Sequence, residues 1–150
     1  MHAEEAGEEA ARHAGRRWES TRGALVRAGA PDGDRLTDEL LLLLYFAGQA
    51  AVHFALFDED ALKKRVQTGF SLAWDRFARE KSPAAGRDAA DRLQEYTRSL
   101  QQGASAVAGT FCRFLGCGST RVERAAASLF DRQVTATMKL VMNHRSEGLA

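Results

Sequence analysis

Apolar residues recur along this chain at intervals of three and four, and no stretch alternates apolar and polar side chains at every second position. The densest run is residues 37–57, TDELLLLLYFAGQAAVHFALF. It is apolar around nearly its whole circumference and predicts a helix buried on most sides. Thr37 offers an N-cap, and Asp38 and Glu39 fall in the first turn, where the helix dipole favours negative charge. Residues 28–34, AGAPDGD, form the clearest break in the chain. Ahead of that break, residues 3–28 have helical composition and a thin apolar face made of Ala11, Ala14, Trp18, Thr21, Leu25 and Ala28. The first dozen residues are expected to bury little, which makes 1–12 a candidate for disorder.

Beyond the leucine run the helical spacing resumes at once. Asp58 can cap a third helix reaching about Glu80, with Leu62, Val66, Phe70, Ala73, Trp74 and Phe77 on one face. The short connection makes the second and third helices antiparallel or sharply bent neighbours. Ser82-Pro83 reads as the N-cap and first residue of a fourth helix. Ala89, Leu93, Tyr96, Leu100, Val107, Phe111 and Phe114 continue its stripe for about nine turns, to a glycine cap at Gly116. Within it, residues 103–109 (GASAVAG) suit close helix contact or a kink better than a ligand loop. Thr120 and Glu123 form a capping box for a last helix to about His144, which buries Ala126, Leu129, Phe130, Val134, Met138 and Val141. The expected fold is all-α: a single domain spanning 1–150, a helical bundle of four long helices with an N-terminal helix packed across it.

Composition supports that reading. The 150 residues are 45% hydrophobic and include only two prolines, enough for one core and poor in helix breakers. Twenty-one basic and 20 acidic residues leave a formal charge of +1, so no global field draws the chain to nucleic acid or an anionic membrane. The charge is uneven, however. Residues 1–50 carry six basic and nine acidic groups, and residues 101–150 carry six basic and three acidic. Gly48, Gln49 and His53 interrupt the apolar run and acids flank both its ends, so no membrane span is expected. An acidic N-terminus without a signal-peptide core, and two cysteines only, make the cytoplasm the default compartment.

Four groupings could carry chemistry. Tyr45, Gln49 and His53, spaced by four, rise along one side of the apolar helix and could line a pocket, although satisfying one another explains them as well. Cys112 and Cys117 match no common zinc or redox spacing and read as small hydrophobes. Met138, Met142 and His144 read as core filling rather than a soft-metal site. The most organised grouping is basic. Arg121, Arg124, Arg132 and Lys139 lie opposite the apolar face of the last helix, with Ser128 and Thr135 between them, while Arg65, Arg76 and Arg79 form a looser row on the third. Such rows can track a phosphate backbone, and a solvated face is their ordinary alternative.

No phosphate loop, paired-carboxylate motif or nucleophile elbow occurs, and nothing calls for a cofactor or a metal. The leading expectation is a non-enzymatic helical interaction protein, an adaptor or small subunit whose partner is another protein or a second copy of itself. The cover needed by the second helix and the small-residue stretch in the fourth suggest a homodimer. The alternatives are a nucleic-acid-binding accessory subunit using the basic rows, and a small-ligand or cofactor-binding bundle centred on His53.

Overall fold

The computed structural model describes residues 1–83 and 89–150. Within them the chain forms α1 (Ala3–Arg16), α2 (Trp18–Ala28), α3 (Asp34–Ala55), α4 (Asp60–Lys81), α5 (Ala89–Leu100), α6 (Ala104–Leu115) and α7 (Thr120–Glu147), with no strand among the described residues. The all-helical expectation holds, but the chain is divided more finely than a bundle of four long helices. No helix among the described residues is long and apolar enough to cross a membrane.

The central element is α3. Its leucines 40–44 are all buried, as are Leu36, Phe46, Ala47 and Val52, and it packs against α1, α4, α5, α6 and α7. That cover comes from the same chain. The helix starts at Asp34 behind Gly33, three residues before the Thr37 cap expected from the sequence. Thr37 instead accepts a hydrogen bond from Arg22 Nε at 3.0 Å, which ties the middle of α2 to α3.

The N-terminal segment departs furthest from expectation. Ala3, Ala6, Ala10, Ala11 and Ala14 are buried, and α1 lies along α4 as that helix's main partner. The face is thin only in volume. Gly7 meets the Val66 carbonyl and Gly69 meets the Glu4 carbonyl so closely that a Cβ at either position would collide with backbone. Small residues on both helices thus let the two backbones approach, and alanine is enough to fill the seam. A break at Arg17 turns the chain into α2, and Trp18 packs edge-on against Phe77, ring centres 6.0 Å apart.

The long fourth helix of the sequence reading is two helices. Gln101–Gly103 interrupts it, with Gly103 at φ 105° leading into α6, next to the small-residue stretch where a kink was expected. Ser82 is the C-cap of α4 rather than the start of a helix, and residues 84–88, where that helix was expected to begin, lie outside the described residues. Ser119, not Thr120, caps α7 by accepting the Val122 amide at 3.3 Å. Glu59 rather than Asp58 precedes α4. The predicted core faces of α4 and α7 are in place: Val66, Phe70 and Trp74, and Ala126, Leu129, Phe130 and Val141, are buried.

Candidate functional site

On α3 Leu36, Glu39, Leu40 and Leu43 share the inward face at spacings of three and four, so a carboxylate is carried into the core. Glu39 is 1% exposed. Two side chains one turn apart on α5 reach it. The Tyr96 hydroxyl donates to Oε2 at 3.0 Å, and the Arg92 guanidinium lies 2.9 Å from Oε1. Tyr96 is itself fixed between rings, stacked on Phe46 at 5.5 Å and edge-on to Phe114 at 5.7 Å.

This buried arrangement holds α5 against α3. Removing a charged member of such a set costs about 3–5 kcal/mol, because the remaining charge is left without its partner in the interior. Burial pushes the Glu39 carboxyl above its ordinary range, while Arg92 and the Tyr96 hydroxyl oppose the shift in part. Tyr96 is pushed upward by burial and by the neighbouring carboxylate, so its hydroxyl stays protonated and remains a donor.

Glu39 and Arg92 lie at the floor of an open cleft of about 1020 Å³. One wall is α3, with Arg35, Asp38, Leu42 and Tyr45; another is α4, with Trp74, Asp75, Ala78 and Arg79. Pro83, Ala89 and Leu93, with Arg113 and Phe114 of α6, also line it. Trp74 is locked in place by donating its indole N–H to the Leu41 carbonyl at 3.0 Å. Arg35 donates from Nε to the Phe114 carbonyl at 3.1 Å, and Arg113 lies over the Phe114 ring while reaching Glu95 at 3.4 Å. Asp38 Oδ1 is shut off from solvent and accepts no hydrogen bond, whereas Glu39 Oε1, equally shut off, faces the Arg92 guanidinium. An acceptor left without a donor costs about 1–3 kcal/mol.

The residues singled out from the sequence are distributed differently. Tyr45 and Gln49 form a network with α4: Gln49 Nε2 donates to Ser71 Oγ at 2.6 Å and to the Gln67 carbonyl at 3.2 Å, and the Tyr45 hydroxyl pairs with Ser71 Oγ at 3.0 Å. Only Tyr45 of the three reaches the cleft. His53 is exposed at the far end of α3, beside Lys63 Nζ at 3.3 Å and between the exposed rings of Phe54 and Phe57. Cys112 and Cys117 are free thiols, the first buried and pushed up to about 11, chiefly by burial. His144 sits 2.7 Å from Glu9, whereas Met142 points outward, so the C-terminal Met and His side chains do not converge. Among the described residues no three His, Cys, Asp or Glu side chains cluster to hold a metal ion.

Arg121, Arg124, Arg132 and Lys139 are all exposed on α7, and none has a carboxylate partner among the described residues. The α4 row is divided in use. Arg65 makes a two-point contact with Glu4, Nε to Oε1 at 2.8 Å and Nη2 to Oε2 at 2.9 Å, Arg79 borders the cleft, and Arg76 is exposed. Glu39 and Arg92 were not singled out from the sequence. The signal for Glu39 was its spacing of three from Leu36 and four from Leu43, which places it on the buried face of α3. No protein-family model, curated protein or solved structure matches this chain.

Proposed function

We propose that this chain is a helical small-molecule-binding protein whose ligand occupies the cleft between α3, α4, α5 and α6. The observation that carries the reading is an ionisable group, Glu39, held at the floor of a cleft of about 1020 Å³ with apolar and charged walls. Clefts in which fixed polar groups converge beside apolar side chains are where proteins seat small ligands. Perturbed acids in clefts are enriched at such sites. Trp74, Phe114 and Leu93 would cover the apolar part of a ligand, and the Arg92–Glu39–Tyr96 set would give a floor that does not move when the ligand binds. No role as a catalyst is assigned, and the site is separate from His53, where the sequence alone would centre a ligand.

A thermal-shift screen with a library of small metabolites tests the reading, run in parallel on Leu93→Trp, which fills the cleft from its half-exposed α5 wall. Ligand at about 100 times its dissociation constant adds about 2.7 kcal/mol to the native state, a readily measured shift. Compounds that stabilise the wild type and not the variant support the proposal. A library that treats both proteins alike overturns it.

A second reading is favoured by one observation, the unpaired stripe on α7. Arg121 to Lys139 spans about 27 Å at 1.5 Å per residue. Ser128 and Thr135 separate its cations and no apolar residue interrupts them, which suits a phosphate backbone better than a lipid surface. Asp131 lies on its flank, next to Arg132. Binding to mixed-sequence RNA and DNA at two salt concentrations, repeated with the four positions changed to Ala, decides it. Contact predicts affinity that falls steeply with salt and a shallower slope in the variant.

A further inference from the structure

A second opening, of about 350 Å³, lies between α1 and α4 and shares no lining residue with the cleft. Ala11 and Gly15 of α1 and Ala73 and Phe77 of α4 make its floor apolar, and Arg12 and Arg16 stand at its rim. A carbon added at Gly15 would lie 3.2 Å from the Phe77 ring, so the missing side chain is what leaves that ring uncovered. Trp74 and Trp18 hold the ring in place, their centres 5.0 and 6.0 Å from it. Toward the start of both helices the seam is shut, because Gly7 and Gly69 bring the two backbones together there.

The charges around the opening favour one sign. Arg65 meets Glu4 across the outer side of the seam, and Arg76 follows Arg65 by about three turns on the same face of α4. Arg16 and Arg76 are exposed and have no carboxylate partner among the described residues. Arg12 reaches Glu8 only at 3.7 Å, and Lys81 Nζ stands 5.4 Å from the centre of the Phe77 ring. Cations therefore stand on both helices, on either side of an apolar floor. Glu80 is exposed one turn past Phe77, which limits an acidic partner to a few residues beside the opening.

We propose that this opening docks a short acidic segment of a partner protein: one aromatic or leucine side chain seated on Phe77, with carboxylates on both sides of it directed to Arg16 and Arg76. An apolar anchor in a pocket, flanked by charge pairs that fix its register, is how short segments are commonly recognised. A lipid surface is too flat to enter an opening the width of a side chain, and a small acid with one charged end cannot meet cations on both helices.

Three blocked pentapeptides test this by calorimetry on the full chain: DDFDD, NNFNN and DDADD. They separate the anchor from the charges. The expected result is that DDFDD binds at least about tenfold more tightly than either of the others. Gly15→Met lays a side chain over the Phe77 ring and should remove DDFDD binding, and Arg16→Gln combined with Arg76→Gln should lower it to the level of NNFNN. Circular dichroism checks that the variants fold, and none of them alters the cleft. Equal binding of DDFDD and NNFNN, DDFDD binding that survives Gly15→Met, or no binding by any peptide overturns the proposal. Sedimentation that shows a dimer for the wild type and a monomer for Gly15→Met assigns the opening to a second copy and also overturns it. Phosphatidylserine vesicles that retain the wild type and release Gly15→Met do the same in favour of a lipid surface.

Discussion

The Tyr96 hydroxyl donates to Glu39 Oε2 at 3.0 Å, across 57 residues of sequence and inside the core. Tyr96→Phe keeps the ring, its stacking on Phe46 and its volume, and removes only the donor. The carboxylate oxygen then stays buried without a partner, so the variant should lose about 1–3 kcal/mol in urea unfolding at neutral pH. Loss of less than a few tenths would mean that the contact does not hold α5 in place.

Glu39 also sets a pH dependence with a definite sign. Its folded-state pKa is raised, first by burial, so the native state binds the proton more tightly than the unfolded chain does. Stability on this account falls as pH rises from the unfolded value of 4.5 through the folded one. Glu39→Gln removes the titration. The urea midpoint of the wild type minus that of the variant should decline between pH 4.5 and neutrality, and a flat or rising difference contradicts the assignment.

Glu4 acts in the opposite direction and in a lower window. Hydrogen bonds from Arg65 hold its carboxyl at about 2 against an ordinary 4.5. A depressed folded-state pKa gives stability that is present above the unfolded value and is lost as pH falls through the folded one. Between pH 4.5 and about 2 the wild type should therefore weaken more steeply than Glu4→Gln. Parallel acid-unfolding curves for the two proteins would show that this exposed pair contributes nothing.

The contact of α1 with α4 is tested by adding one carbon. In Gly69→Ala the new Cβ would collide with the Glu4 backbone, and Gly7→Ala meets the Val66 carbonyl in the same way. Either change should cost about 1–3 kcal/mol by overpacking, although alanine is the better helix former. Chemical denaturation of both variants checks it, and a stabilised Gly69→Ala would show that α1 stands off from α4.

Trp74→Ala removes a side chain that is 2% exposed and hydrogen-bonded to Leu41. It should lower stability by about 3–5 kcal/mol in the same measurement. An unchanged melt would contradict the buried face assigned to α4.

What the sequence made legible was the large and periodic. The leucines of α3 and the Val66, Phe70, Trp74 stripe of α4 carry enough apolar area to announce which face is inside. The α1 seam was not legible, because alanines and two glycines signal little hydrophobicity even where they allow the closest backbone approach in the fold. Glu39 was read as a first-turn acid on the helix dipole, and on a helix apolar on nearly every side its spacing from Leu36 and Leu43 did not mark it out. Arg92 and Tyr96 reach it only through tertiary contact, which spacing along the chain does not encode. The Gly103 break was half visible, since the small-residue stretch beside it marked a kink but not two separate helices.

The two tryptophans offer the most direct test of the cleft as a binding site. The Trp74 indole lines it, and Trp18, buried against Phe77, does not. In nitrogen-15 spectra each gives its own side-chain N–H signal. Titration with a compound selected by the thermal-shift screen should move the Trp74 indole signal in a saturable way and leave that of Trp18 in place. Saturable movement of Trp18 alone, or no movement of Trp74 with a compound that stabilises the protein, would place binding elsewhere and contradict the account.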